Sequence, residues 1–147
     1  KMATINTVLQ NVNKLDLAKE AMNALKAMEF EVLELNRDQL ESGTNKEGSL
    51  IRPAYKPSTK AYKLSIGRTG DVDLLHKGDF QREMKLEVKS KTDYSILSTD
   101  WKYAMLVEKY GNPIPFFGLS SQSRTNLIRD GYGDELGTRV KEVTKLG

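Results

Sequence analysis

Ser98-Thr99-Asp100-Trp101-Lys102-Tyr103-Ala104-Met105-Leu106-Val107-Glu108-Lys109-Tyr110-Gly111, continuing as Asn112-Pro113-Ile114-Pro115-Phe116-Phe117-Gly118, holds the chain's single Trp, two of its six Tyr and two of its four Phe. Aromatic side chains bury roughly 150–250 Å² each, so whatever packs on this stretch defines the core. Ser98, Thr99 and Asp100 can each offer an oxygen to the unpaired N–H groups of a first helical turn. Trp101, Met105 and Glu108 fall on one side of the resulting helix, and Tyr103, Leu106, Val107 and Tyr110 on another. Gly111 is the residue type that ends a helix in a left-handed C′ conformation, and Pro113 cannot extend it. The spacing therefore predicts a short helix over 98–111, apolar around more than half its circumference, which other elements must cover.

The residues before it supply one cover. Met84, Leu86 and Val88 alternate with Lys85, Glu87 and Lys89, the period of a half-buried strand. Lys91-Thr92-Asp93 reads as a turn, and Tyr94-Ser95-Ile96-Leu97-Ser98 returns with Tyr94 and Ile96 on one face. Residues 80–97 are thus an antiparallel hairpin feeding the helix. Two strands alone are marginal, so a further pair from 50–66 or 112–119, or a neighbouring chain, is expected to complete the sheet.

Residues 1–42 read as helical. Ile5, Val8, Leu9 and Val12 suggest a short leading helix after Thr4. Apolar positions then run Leu15, Ala18, Met22, Leu25, Met28, Val32, Leu35 and Gln39/Leu40, and neither Gly nor Pro interrupts Asp16 to Ser42. Gly43 is a natural stop. Such a helix either packs on its own core with a solvated acidic face, or overhangs that core as an assembly helix. At the other end Ser120 or Ser121 can cap a helix over 119–146, striped by Leu127, Ile128, Tyr132, Leu136, Val140 and Val143. Gly131, Gly133 and Gly137 weaken it by about 1 kcal/mol each relative to alanine. A single bent helix is expected, two shorter ones being the alternative. The whole reads as one α+β domain over 1–147, a long N-terminal and a C-terminal helix packed on a small antiparallel sheet.

Residues 43–79 differ in kind. Gly43 to Ser49 is turn chemistry, and from Arg52 to Arg68 there are five basic residues and no acidic one, with Tyr55 and Tyr62 interleaved. The stretch is a basic, turn-rich loop. Basic charge with stacking aromatics grips single-stranded nucleic acid, suits an acidic partner surface, or belongs to a solvated loop whose tyrosines fold back. No groove-reading motif accompanies it. Arg52, Tyr55, Lys56, Lys60, Tyr62 and Lys63 are the candidate partner contacts here. Asp71 and Asp73 form a D-x-D pair, too few oxygens for a Ca²⁺ loop. His76 is the single histidine, which builds neither a triad nor a multi-His metal site.

The 147 residues carry a net charge of +3, divided as −2 over 1–50 and +5 over 51–147. That length buries about two-thirds of the unfolded surface. With no Cys there is no disulfide framework and no thiolate chemistry. No apolar run approaches the roughly 20 residues of a spanning helix, and no signal-peptide apolar region opens the chain. A soluble intracellular protein is the expectation, with Met2 its native start and Lys1 an added residue. A carboxylate enzyme built on Asp71, Asp73 or Asp79 has little else to draw on. One His, no Cys, no G-x-S-x-G, no phosphate-binding loop and no metal spacing together favour a protein with no catalytic residues, cofactor or metal.

The order of elements, with Gly78-Asp79-Phe80 and Met84, the Ser98-Thr99-Asp100 step, Leu106 with Lys109-Tyr110-Gly111, and Gly118-Leu119-Ser120, resembles the tail-completion (neck or minor tail) proteins of tailed bacteriophages. It is similar also to proteins encoded in prophage-like regions of gut bacteria. Where that family usually carries a Thr before Gly-Asp/Arg-Phe/Leu, this chain has Lys77, and its Pro113–Phe117 stretch is longer. The resemblance implies a non-enzymatic virion protein, made in the bacterial host cytoplasm. It would form a ring of six or twelve copies between head-tail connector and tail, touching both and not a membrane. A small nucleic-acid-binding protein using 52–68 is the alternative. A ring needs two different patches that match head to tail, and the acidic first helix meeting the basic loop or the C-terminal helix of the next copy would supply them. Within one copy, Trp101, Met105, Leu106, Tyr110 and Gly111 are expected to anchor the hairpin to the long helix. Phe116 and Phe117, on a Pro-stiffened loop, are expected to face a partner.

Overall fold

A computed structural model describes residues 5–6, 10–11, 16–90 and 93–144. Residues 5–6 and 10–11 are helical. The rest of the expected leading helix (Val8, Leu9, Val12), Leu15, the turn residues Lys91 and Thr92, and 145–146 lie outside the described residues. So does the side chain of Val143.

Asp16 opens helix α1 (Leu17–Ala27) by accepting the Lys19 N–H at 3.1 Å, which satisfies one of the orphan donors of a first turn. Helix α2 (Glu29–Glu41) follows directly, and Gly43, at φ 74°, takes the left-handed position beyond its end. The single helix expected over Asp16–Ser42 is therefore broken, at Met28 (φ −102°, ψ 24°). No Gly or Pro marks the place because the cause is tertiary. The two halves lie on different neighbours, α1 on the last helix and α2 on the one before it, while both cover the first strand.

Strands β1 (Met84–Val88) and β2 (Tyr94–Ser98) pair antiparallel with Leu86 opposite Ile96 and Met84 opposite Ser98. The hairpin stands as the alternation predicts. Among the described residues no third strand joins it, so the expected completion by a pair from 50–66 or 112–119 is corrected. The helices α1 and α2 give the apolar face its cover instead. With these helices around a two-stranded sheet, the fold is α+β.

The basic stretch is also more ordered than turn chemistry suggests. Helix α3 (Pro57–Ser65) occupies its centre, with Pro57 at the first helical position, where a missing N–H costs nothing. A one-turn helix α4 (Asp79–Arg82) precedes β1, entered through Gly78.

Helix α5 (Tyr103–Tyr110) starts later than the predicted 98–111. Two of the three residues expected to cap it, Ser98 and Thr99, are engaged elsewhere. Ser98 Oγ donates to the Phe80 carbonyl at 2.9 Å, and Thr99 donates its N–H to the Glu83 carbonyl (3.0 Å) and its hydroxyl to the Glu83 carboxylate (2.7 Å). Asp100 alone turns the chain, accepting the Lys102 N–H at 2.8 Å. Gly111 ends α5 at φ −95°, not in the left-handed conformation expected. A Cβ there would stand 2.7 Å from the Val107 carbonyl oxygen.

Ser120 caps helix α6 (Ser121–Leu127) by accepting the Ser123 N–H. The segment Ile128–Tyr132 then leads into helix α7 (Gly133–Thr144) across a kink at Gly131, whose φ of 166° and ψ of −25° are not helical, so the single bent helix expected gives way to the alternative of two shorter helices. The kink faces the break in the first helix: a Cβ on Gly131 would lie 3.0 Å from Met28 Cε. Tyr132 OH donates to the Ala21 carbonyl at 3.3 Å and fastens the crossing.

Candidate functional site

Asp73 is the centre of the basic segment. Its side chain is 3 % exposed, a position in which a carboxylate must be compensated. Oδ1 accepts from Lys63 Nζ at 2.7 Å, from Tyr55 OH at 3.1 Å and from the Leu75 N–H at 3.1 Å. Arg68 Nη1 stands 3.7 Å from Oδ2 and donates to the Leu75 carbonyl at 2.7 Å. Lys63 Nζ also donates to that carbonyl. Leu74, forced to φ 54°, costs of order 1–3 kcal/mol in backbone strain, offset where its N–H donates to Tyr55 OH at 3.1 Å. Gln81 Nε2 reaches the Asp73 carbonyl at 3.2 Å, and Arg37 on α2 donates twice to the Gln81 carbonyl. A chain of buried polar contacts thus joins α3, the 68–75 loop, α4 and α2.

This network uses residues predicted to face a partner. Lys63 is buried and ion-paired, and Tyr55 is half-buried with its ring edge-on to Tyr110 at 6.2 Å. Burial, and next the Asp73 carboxylate, push the Tyr55 hydroxyl well above its ordinary range. It stays a neutral donor. Sequence reading placed these two outside because Lys is rarely buried; only the distant Asp73 makes the burial affordable. Arg52, Lys56, Lys60 and Tyr62 remain exposed. The aromatic–basic grip expected for single-stranded nucleic acid thereby loses one of its two tyrosines and one of its lysines to the interior.

Among the carboxylates considered for catalysis, Asp73 is consumed by this ion centre and Asp79 is paired with Arg82. Among the described residues no three His, Asp or Glu side chains are grouped to hold a metal ion. No helix among them is long and apolar enough to cross a membrane.

The predicted anchor divides. Leu106, Tyr110 and Gly111 do face inward, Tyr110 being 7 % exposed. Trp101 is 83 % and Met105 53 % exposed, which corrects their assignment as anchors. The helix has two apolar rows, and the fold buries the one containing Tyr103, Leu106, Val107 and Tyr110. Trp101 stands in the turn before α5 with Lys102 Nζ 5.5 Å over its ring.

Phe116 and Phe117 are corrected in the opposite sense. At 1 % and 9 % exposure they are core, not partner contacts. Phe117 stacks on Phe80 at 5.5 Å and on Tyr103 at 5.9 Å, while Phe116 meets Phe80 edge-on at 6.0 Å. The loop that carries them is held by two buried amides of α2. Asn36 Nδ2 donates to the Phe116 carbonyl (3.3 Å) and Oδ1 accepts the Gly118 N–H (2.9 Å). Gln39 Nε2 donates to the Gly118 carbonyl (2.8 Å) and Oε1 accepts the Ser120 N–H (2.9 Å). A polar pair three residues apart within the apolar arc of a helix was the available signal.

What remains outward is a groove of about 480 Å³ between α3 and α5, floored by the 74–80 loop. Ser58, Thr59 and Tyr62 form one wall, and Lys102, Leu106 and Tyr110 the other. Tyr62 is 56 % exposed, so the apolar lip continues past the groove on the α3 side. The charged groups in its lining are the lysines 63, 77 and 102, against the single carboxylate of Asp79.

No protein-family model, curated protein or solved structure matches the chain.

Proposed function

We propose that this protein is a non-enzymatic structural subunit of a tailed-bacteriophage or prophage particle, a tail-completion protein assembled in the host cytoplasm as a ring between head-tail connector and tail. The motifs Gly78-Asp79-Phe80 and Lys109-Tyr110-Gly111 and the order of elements support the family. The observation that carries the assembly role is Trp101, 83 % exposed beside the exposed Met105. A large aromatic left outward in the turn before α5 and a thioether left outward on that helix, when the helix's other apolar row is buried, are what a protein–protein contact uses.

Proteomics of purified particles and native mass spectrometry of the isolated chain test this reading. The chain should be recovered at a fixed stoichiometry in particles, and should self-associate at high micromolar concentration. A strict monomer that is absent from particles would overturn it.

A further inference from the structure

We infer that the α3–α5 groove is the docking site for helix α2 of a second copy of this chain, with Phe30 entering the groove and the acidic residues around it meeting the groove's lysines.

The two surfaces are different, and each lacks a partner within the molecule. Val32, Leu33, Asn36, Gln39 and Leu40 form the buried arc of α2. At about 100° per residue, Phe30, Glu34, Asp38 and Glu41 fall together on the opposite arc, with Glu31 at its edge. Phe30 is 69 % exposed there, a single aromatic in a field of four carboxylates. Arg37 is the sole cation on that arc, and it is occupied by Glu34 and by the Gln81 carbonyl. Glu31, Asp38 and Glu41 have no ion pair among the described residues.

The groove is the complement. Its apolar walls, Tyr62 against Leu106 and Tyr110, are spaced by the 74–80 floor. Lys77 is exposed and has no ion pair among the described residues, and Lys102 holds Asp100 only at 3.4 Å. Asp79, the one carboxylate in the lining, is already engaged by Arg82. Its exposed sign is therefore positive, opposite to that of the α2 face. Charge complementarity of this kind fixes register and excludes other docking modes, while the aromatic in a desolvated slot supplies most of the affinity. Because the two patches lie at different places on one chain, the contact is heterologous, and repeated it closes a ring or extends a filament.

The inference rests on the assembly reading in needing a second copy, but it names the contact, so the two fail separately. The chain has no Cys, so single cysteines report contacts cleanly. Asp38→Cys mixed with Ser58→Cys, which leaves Phe30 and the apolar groove walls intact, should form a mixed disulfide about tenfold faster than Asp38→Cys mixed with Ile128→Cys, an exposed site before α7. Equal rates would overturn the contact. If the chain nevertheless oligomerises in native mass spectra, the ring reading survives that failure. Phe30→Ser, a surface change, should leave thermal unfolding unaltered and weaken self-association about tenfold or more. Glu31→Lys with Glu34→Lys should weaken it similarly, and mixing that variant with Lys77→Glu/Lys102→Glu should restore it. Charge swaps without rescue, or a photocrosslinker at Tyr62 that captures only a different virion protein, would also overturn the proposal.

Discussion

Asn36 and Gly118 exchange a hydrogen bond at 2.9 Å across 82 residues of sequence, the amide oxygen of α2 accepting the backbone N–H that ends the Phe116–Phe117 loop. With Gln39 one turn away, it replaces the strand that would otherwise have to satisfy this buried backbone. Leucine at position 36 would keep the volume but orphan the Phe116 carbonyl and the Gly118 N–H. Asn36→Leu should therefore destabilise by about 2–4 kcal/mol, read by urea unfolding. A change below about 0.5 kcal/mol would mean that the loop does not depend on the amide.

The phenylalanines and the tryptophan should respond in opposite ways. Phe116→Ala removes a fully buried ring from a four-ring cluster and should cost about 3–5 kcal/mol. Trp101→Ser should stay within about 0.5 kcal/mol of the parent in stability, because the side chain leaves water nowhere in the isolated chain. Its effect should appear in assembly alone, measured by the loss of the oligomer in native mass spectra.

Asp73 and Lys63 are separable from surface ion pairs by the cost of breaking them. Asp73→Ala leaves a buried ammonium without its carboxylate and should destabilise by about 3–5 kcal/mol. Lys63→Met alone leaves Asp73 with Tyr55, Arg68 and the Leu75 N–H. A double-mutant cycle on the pair should give a coupling of about 1–3 kcal/mol, and a value near zero would mean that the two charges are held independently of each other.

The hydroxyl of Tyr55 has its folded-state pKa raised above the ordinary 10.0, by burial first and Asp73 second. A group raised in this way favours the folded state below its unfolded pKa. That contribution is lost as pH rises through 10 towards the folded value. Tyr94, raised by burial too, acts in the same direction. Stability should therefore be flat between pH 7 and 9 and fall above pH 10. Tyr55→Phe should lower stability at neutral pH by about 1–3 kcal/mol and make the alkaline fall shallower. An unchanged slope above pH 10 would contradict this placement of the hydroxyl.

Much of the architecture was written locally. The Met84–Val88 alternation, the Asp16 and Ser120 caps and the stop at Gly43 each depend on a few neighbouring residues and appear where the chain predicts them. The candidate site was less legible. Lys63 and Lys60 are the same residue type three positions apart on one helix, and only the position of Asp73, brought in by the 68–75 loop, decides that one is core and the other solvent. Asn36 could have been noticed as polar within an apolar arc, but nothing near it in sequence names the loop it binds.

By itself, then, the chain determined the hairpin, the helical character of both ends and their caps, though not helix α3 within the basic stretch, because capping, periodicity and turn chemistry act within one or two turns. The tertiary structure decided which of two apolar rows on α5 is buried, where the first helix breaks, and that Phe116 and Phe117 point inward. Those choices turn on what stands opposite: Met28 against Gly131, Lys63 against Asp73, and Phe117 between Phe80 and Tyr103. Burial is a property of pairs of distant surfaces, and a one-dimensional pattern lists the candidates without pairing them.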